Sequence, residues 1–216
     1  MNFGNLITAG GIVMFPLLGF SILAVALSLE RLVFWWQVVN RQGRLVREVF
    51  NLYPRSPRNA FQKLEQNSDL PIARIFLAAL ELDRPNPEEF RLALESAAQA
   101  EIPVLKRFNT VFETIISLSP LLGLLGTVLG LIRSFASLRI GDIAGSNSAG
   151  VSGGISEALV STAAGLIVAI ITLMLANTFR GLYQRQIALI QEYGGQMELL
   201  YRRYHERWGE KPYAPT

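Results

Sequence analysis

One acid and two threonines are the residues of this chain whose chemistry would count inside a membrane. Glu157, Thr162 and Thr127 lie in apolar runs of about 20 residues, each long enough to cross a hydrocarbon core of about 30 Å. A carboxylic acid at that depth can exchange a proton. A threonine hydroxyl both donates and accepts, so it can orient water or hold an acid, yet it cannot change charge near neutral pH. Ionisable groups within spans are functional candidates by default, and Glu157 is the one acid within these two runs. The competing reading of Glu157 is structural. It follows Gly153 and Gly154 at what reads as the opening of the third span, where free N–H groups and the helix dipole favour a carboxylate.

The elements that must position these groups are two consecutive spans. The first reads SLSPLLGLLGTVLGLIRSF and the second GGISEALVSTAAGLIVAIITLMLANT. At about 100° per residue, Pro120, Gly123, Thr127, Gly130 and Ser134 fall within one sector of about 80°. Glu157, Ser161, Gly165, Val168 and Thr172 fill a similar sector of about 80° on the other run, with Thr162 and Ala169 beside it. Two small and polar stripes on adjacent spans point to a shared interface or to a lined polar path. Gly126 and Gly130 form a GxxxG, and such residues let membrane helices approach whatever the protein does. Pro120, Gly123, Gly126, Gly130, Ser134, Ser161 and Gly165 read as a helix-packing stripe and Thr127, Thr162 and Glu157 are the candidates for a polar path, with packing alone left open as the reading of both stripes.

Composition narrows the classes. Half of the 216 residues are hydrophobic and they are clustered, which favours a membrane protein. There is no cysteine, so neither disulfides nor thiolate metal sites are available. His205 stands in a charged tail, where a lone histidine is ordinarily solvated. No nucleophile and base, no phosphate-cradling glycine loop and no metal-ligand cluster stand at recognisable spacing; no enzyme, cofactor or metal is expected. The net charge of +3 is spread among acids, which makes nucleic acid a poor partner.

A third span precedes the other two. Ile12–Leu29 can cross if Phe34, Trp35 and Trp36 continue it as an interfacial aromatic belt. The uncharged start, MNFGNLITAGG, lacks the basic region of a secretory signal. Residues 36–113 carry eleven Lys and Arg, and the chain from Phe179 carries six more. The amino-terminal segment has none and the stretch 136–154 has only Arg139. The positive-inside rule then gives a periplasmic amino terminus (1–11), a first span (12–35), a cytoplasmic helical region (36–113), a second span (114–135), a periplasmic loop (136–154), a third span (155–178) and a cytoplasmic helix and tail (179–216). Arg133 and Arg139 read as snorkelling side chains or partners of Asp142.

Helical spacing recurs in Leu45, Val46, Val49 and Leu52, and in Ile72, Ile75, Phe76, Ala79 and Leu80. The clusters YPRSPRN and DRPNP interrupt it as turns. Asn86, Pro87 and Glu89 read as an N-cap, a first-turn proline and an N3 acid. No turn cluster follows before Phe135, so if Pro103 and Pro120 only kink it, one helix of about 70 Å runs from there through the second span. Ile190, Tyr193, Met197, Leu200 and Tyr204 continue the third span as a heptad stripe, projecting into the cytoplasm or lying along the bilayer surface.

The pair PLLGLLGTVLGLIRSF and GISEALVSTAAGLIVAI resembles the MotA/TolQ/ExbB proton-channel family, most closely its ExbB and TolQ branch. The match covers about 60 residues in motif and extends more weakly to the first span and its Glu30-Arg31-Leu32 ending. The resemblance implies that Glu157 matches the sensitive acid of the GI(S/A)EAL motif, and that Thr127 and Thr162 face a space where a partner helix is held. It implies an all-α, three-span inner-membrane protein forming a homopentameric ring around an ExbD- or TolR-like single-span partner that supplies a membrane aspartate. Its role would be to convert proton-motive force into work on a TonB- or TolA-like protein that spans the periplasm. A MotA-like stator and a passive membrane scaffold are the alternatives.

Overall fold

The computed structural model describes residues 10–137 and 148–209, the side chains of 148, 149 and 207–209 apart. The pairing suggested for Arg139 with Asp142 falls outside the described residues. Six helices follow in order: α1 (Met14–Leu52), α2 (Pro57–Glu65), α3 (Pro71–Leu80), α4 (Pro87–Leu105), α5 (Asn109–Ala136) and α6 (Ser148–Gly209). No strand occurs among the described residues. Three stretches, in α1, in α4 with α5, and in α6, are long and apolar enough to cross a membrane. This is an all-α protein with three candidate membrane-spanning helices.

The chain divides into two compact units, one of Met1–Glu30 with Phe108–Phe179 and one of Arg31–Arg107 with Arg180–Thr216. In the first, Ser119, Gly123, Gly126, Gly130 and Ser134 of α5 are buried, while Leu121, Leu124 and Ile132 are exposed. That inverts the arrangement of a water-soluble helix and suits one whose outer face meets lipid.

The second unit has a conventional apolar core. Almost all of α3 is buried, with Phe76 against Phe50 of α1 at 6.1 Å between ring centroids. Phe90 of α4 stacks on Tyr201 of α6 at 4.0 Å. The capping box at the start of α4 forms: Asn86 Oδ1 accepts from the Glu88 and Glu89 N–H groups, and Glu89 Oε2 accepts from Asn86 N. Arg74 donates in two parallel bonds to Glu101, at 2.6 and 2.5 Å, fastening α3 to α4. That hydrogen bond, ahead of the opposing effect of burial, raises the Arg74 pKa.

Two expectations need correction. The helix expected to run unbroken from Glu88 to Phe135 is two helices. Proline 103 has no N–H to offer the Gln99 carbonyl. The backbone N–H of Lys106 is then shared between Ile102 and Val104, and Phe108 takes a left-handed φ of 68° before α5 begins. Pro120 sits inside α5 without ending it. The expected aromatic belt loses a member, since Trp35 is only 3% exposed whereas Trp36 is 69% exposed. The heptad stripe on α6 is covered by protein: Tyr193 meets Phe50, Tyr204 meets Tyr53, and Ile190 and Met197 are buried. That face is not free to lie on a bilayer.

Candidate functional site

Within the first unit, α5 and α6 meet backbone to backbone, and small residues are what allow it. A Cβ added at Gly165 would stand 2.4 Å from the Ser119 carbonyl oxygen, and one at Gly130 would stand 2.6 Å from that of Gly154. At Gly126 it would strike Ser161 Oγ at 2.2 Å. The hydroxyls along this seam donate to backbone carbonyls: Ser161 to Ala158 at 2.9 Å, Thr162 to Gly123 at 3.1 Å, Ser134 to Val151 at 3.1 Å. Bonds of this kind satisfy polar groups that lipid cannot. Pro120 is half-buried at the edge.

Of the two threonines assigned to the polar path, only Thr162 reaches across the seam. Thr127 is half-buried and its hydroxyl returns to Leu124 of its own helix at 2.6 Å. Neither threonine is hydrogen-bonded to Glu157. Both keep oxygen lone pairs, so each can still accept from a water or an acid.

The acid has a different neighbourhood from the one its sequence context suggests. Because α6 begins at Ser148, inside the stretch assigned to the loop, Glu157 lies well past the first turn and caps nothing. Its side chain, 15% exposed, forms an ion pair with Arg133 of α5. Arg133 therefore does not simply snorkel; its guanidinium is committed to Glu157. Gly11 closes the other side: its backbone is left-handed (φ +70°), and a Cβ there would stand 1.7 Å from Glu157 Oε1. Glu157 is thus held between a cation on α5 and a glycine ahead of α1. Sequence reasoning missed both partners; the doublet Gly10-Gly11 just before the first helix was the one available signal.

This arrangement can hold a carboxylate at one end of a tightly packed helix pair and present two hydroxyls along it. Among the described residues no three His, Cys, Asp or Glu side chains gather as a metal site.

The profile of the MotA/TolQ/ExbB proton channel family matches residues 67–192, more than half of the chain. The chain belongs to this family. A putative biopolymer transport protein, ExbB-like 3, of Synechocystis sp. is 64% identical over 208 residues, which cover 96% of this chain and 99% of that protein. ExbB-like 1 of the same organism is 42% identical over 207 residues, 95% and 80% of the respective chains. The biopolymer transport protein ExbB of Salmonella typhimurium is 36% identical over 114 residues, 53% of this chain and 45% of its own. The ExbB/TolQ-like branch is therefore the right one, and the three apolar helices belong to a multi-pass membrane protein of a channel and transport family. The α5–α6 seam and the Arg133–Glu157 pair lie inside the matched residues; Gly11 lies outside them.

Proposed function

We propose that this protein is the ring-forming subunit of an inner-membrane motor driven by proton-motive force. One observation carries the reading: the first unit is built to span a membrane and packs two helices on small residues, yet the acid in its spans is held by an arginine. A proton carrier must change charge, and the Glu157 carboxylate is already taken up by the Arg133 guanidinium. The titrating group then comes from another chain, as an aspartate on the single membrane helix of an ExbD- or TolR-like partner. Thr127 and Thr162 orient that acid and its water, while Glu157, paired with Arg133, stands near the outer end of the path. The ring, five copies by likeness to the family, encloses the partner helix. Each charge crossing 100 mV supplies about 2.3 kcal/mol, so a few protons suffice for one mechanical step on a TonB- or TolA-like protein. The reaction is transport without covalent chemistry.

Proton uptake into proteoliposomes tests this. Uptake is expected only when the partner is co-reconstituted. Thr127→Val and Thr162→Val should each reduce it about tenfold, roughly the cost of one lost hydrogen bond to a charged or polar group in a low-dielectric site. The oligomer counted by native mass spectrometry should stay intact. Equal uptake by this protein alone would remove the need for a lent carboxylate. Wild-type uptake by both valine variants would leave the two hydroxyls without a part in the path and the stripes with packing alone.

The orientation has its own test in this cysteine-free chain. Positive residues are concentrated in 36–113 and after 179, which places the second unit in the cytoplasm and the α5–α6 connection in the periplasm. Ser148→Cys should react with an impermeant maleimide on intact cells from the periplasmic side, and Gln66→Cys should not. The opposite labelling would invert every role given to the outer end of the spans.

A further inference from the structure

Two turns and two helix ends, none of which the transport reading uses, converge in the second unit. The turn after α1 brings Tyr53, the start of α2 brings Arg58, the turn after α3 brings Arg84, and α6 brings Tyr201, Tyr204 and His205. Together they line a cavity of about 650 Å³, within the range of small-molecule sites. Its aromatic walls are fixed. Tyr201 stacks on Phe90 and gives its hydroxyl proton to the Pro85 carbonyl at 2.5 Å. Tyr53 is 3% exposed with its ring 5.7 Å from that of Tyr204. Burial pushes the phenols of Tyr53 and Tyr201 above their ordinary pKa, so these walls stay uncharged at neutral pH.

The charges of the cavity are all of one sign. Arg58 and Arg84 line it, and neither has an ion pair or hydrogen bond among the described residues, unlike Arg41, Arg74, Arg91 and Arg202. No carboxylate is among the described lining residues. Arg84 also holds a left-handed φ of 51°. A non-glycine residue there is strained, and such strain gathers at ligand clamps. Planar aromatic walls suit a flat ring, and guanidinium forks suit a phosphate.

We infer that this cavity is a binding site for a nucleoside phosphate, with the base against the tyrosines and the phosphate on Arg58 and Arg84. The site is separate from the membrane seam and does not rest on the motor reading.

Binding of ADP to the full-length protein in detergent, followed by isothermal titration, is the measurement, with adenosine and inorganic phosphate as the other arms. ADP should bind saturably, and each half-ligand at least about tenfold more weakly, since each lacks one of the two contacts. Arg58→Gln and Arg84→Gln should each weaken ADP about tenfold, a charge-assisted bond's worth. Arg84→Gly relieves the backbone strain, so it keeps the fold while losing the cation, and should weaken ADP equally. Tyr204→Ala should weaken ADP and adenosine together. Absence of saturable ADP binding would overturn the proposal. So would ADP binding unchanged in the double arginine variant, or an acidic peptide that binds the cavity where ADP does not.

Discussion

Gly165→Leu yields a protein that no longer holds α5 against α6. The hydrogen of Gly165 faces the backbone of the other helix: even a methyl group would meet the Ser119 carbonyl oxygen at 2.4 Å and Gly123 at 3.2 Å. Neither obstacle is a flexible side-chain end, so α5 and α6 must separate or shear. Separation also breaks the bond that Thr162 makes with the Gly123 carbonyl, and lipid offers it no replacement. Overpacking costs about 1 to 3 kcal/mol when a core can adjust. A backbone obstacle and a lost bond place this variant above that range, enough to leave most of the protein unassembled. Thermal unfolding in mild detergent, followed by helical circular dichroism and by elution of the oligomer, measures it. Gly181 is the control, since it has nothing within 4 Å of an added Cβ. Gly181→Ala should be neutral or stabilise by about 1 kcal/mol, the helix propensity difference. An intact, wild-type oligomer for Gly165→Leu would mean that the seam is not what holds the spans together.

The second large effect is expected at the acid. Glu157→Gln keeps the side chain's shape and removes its charge, so stability should change little while partner-dependent proton uptake falls about tenfold to a hundredfold, the range of one charge-assisted bond. A first-turn cap would tolerate glutamine, but Glu157 is not in the first turn. Arg133→Gln should give a loss of the same kind, because it leaves the carboxylate, only 15% exposed, without its cation. The exchange Arg133→Glu with Glu157→Arg should recover part of the uptake lost in either single change, which a purely local packing defect would not do. Gly11→Ala adds a methyl where the carboxylate oxygen lies and forces alanine into a left-handed φ, so it should mimic the loss. Full activity in Glu157→Gln would confine this acid to a structural part.

Both experiments rest on relations between residues far apart in the chain, and here sequence and structure part company. The three apolar runs, the small-residue stripes and the capping box at Asn86 are periodic or local features, and each was legible from the residues alone. Periodicity works in the spans because lipid admits few alternatives to a helix, and small residues at helical spacing can only serve a face that something approaches. The long motifs of the second and third spans were also enough to point to the family.

Sequence could not choose among partners or find where a helix changes course. Arg133 is 24 positions from Glu157, and nothing in either motif says that their side chains meet; the pairing depends on how α5 and α6 are rotated and staggered. The start of α6 at Ser148 decided that Glu157 is no cap, because a Ser and Gly-rich stretch reads as loop until tertiary contacts stabilise a helix through it. The break at Lys106–Phe108 follows the same logic: Pro103 made it possible, and only the packing of each compact unit determined whether the helix bent or ended. Tyr53 and Arg84 stand in turn clusters and Tyr201 carries no motif; the fold brings them to one cavity. What the sequence by itself determined is the all-α, three-span plan and the residues able to do chemistry in it. The tertiary structure decided which of those residues touch, since side-chain contact depends on helix rotation and stagger, and hydrophobic periodicity leaves both free.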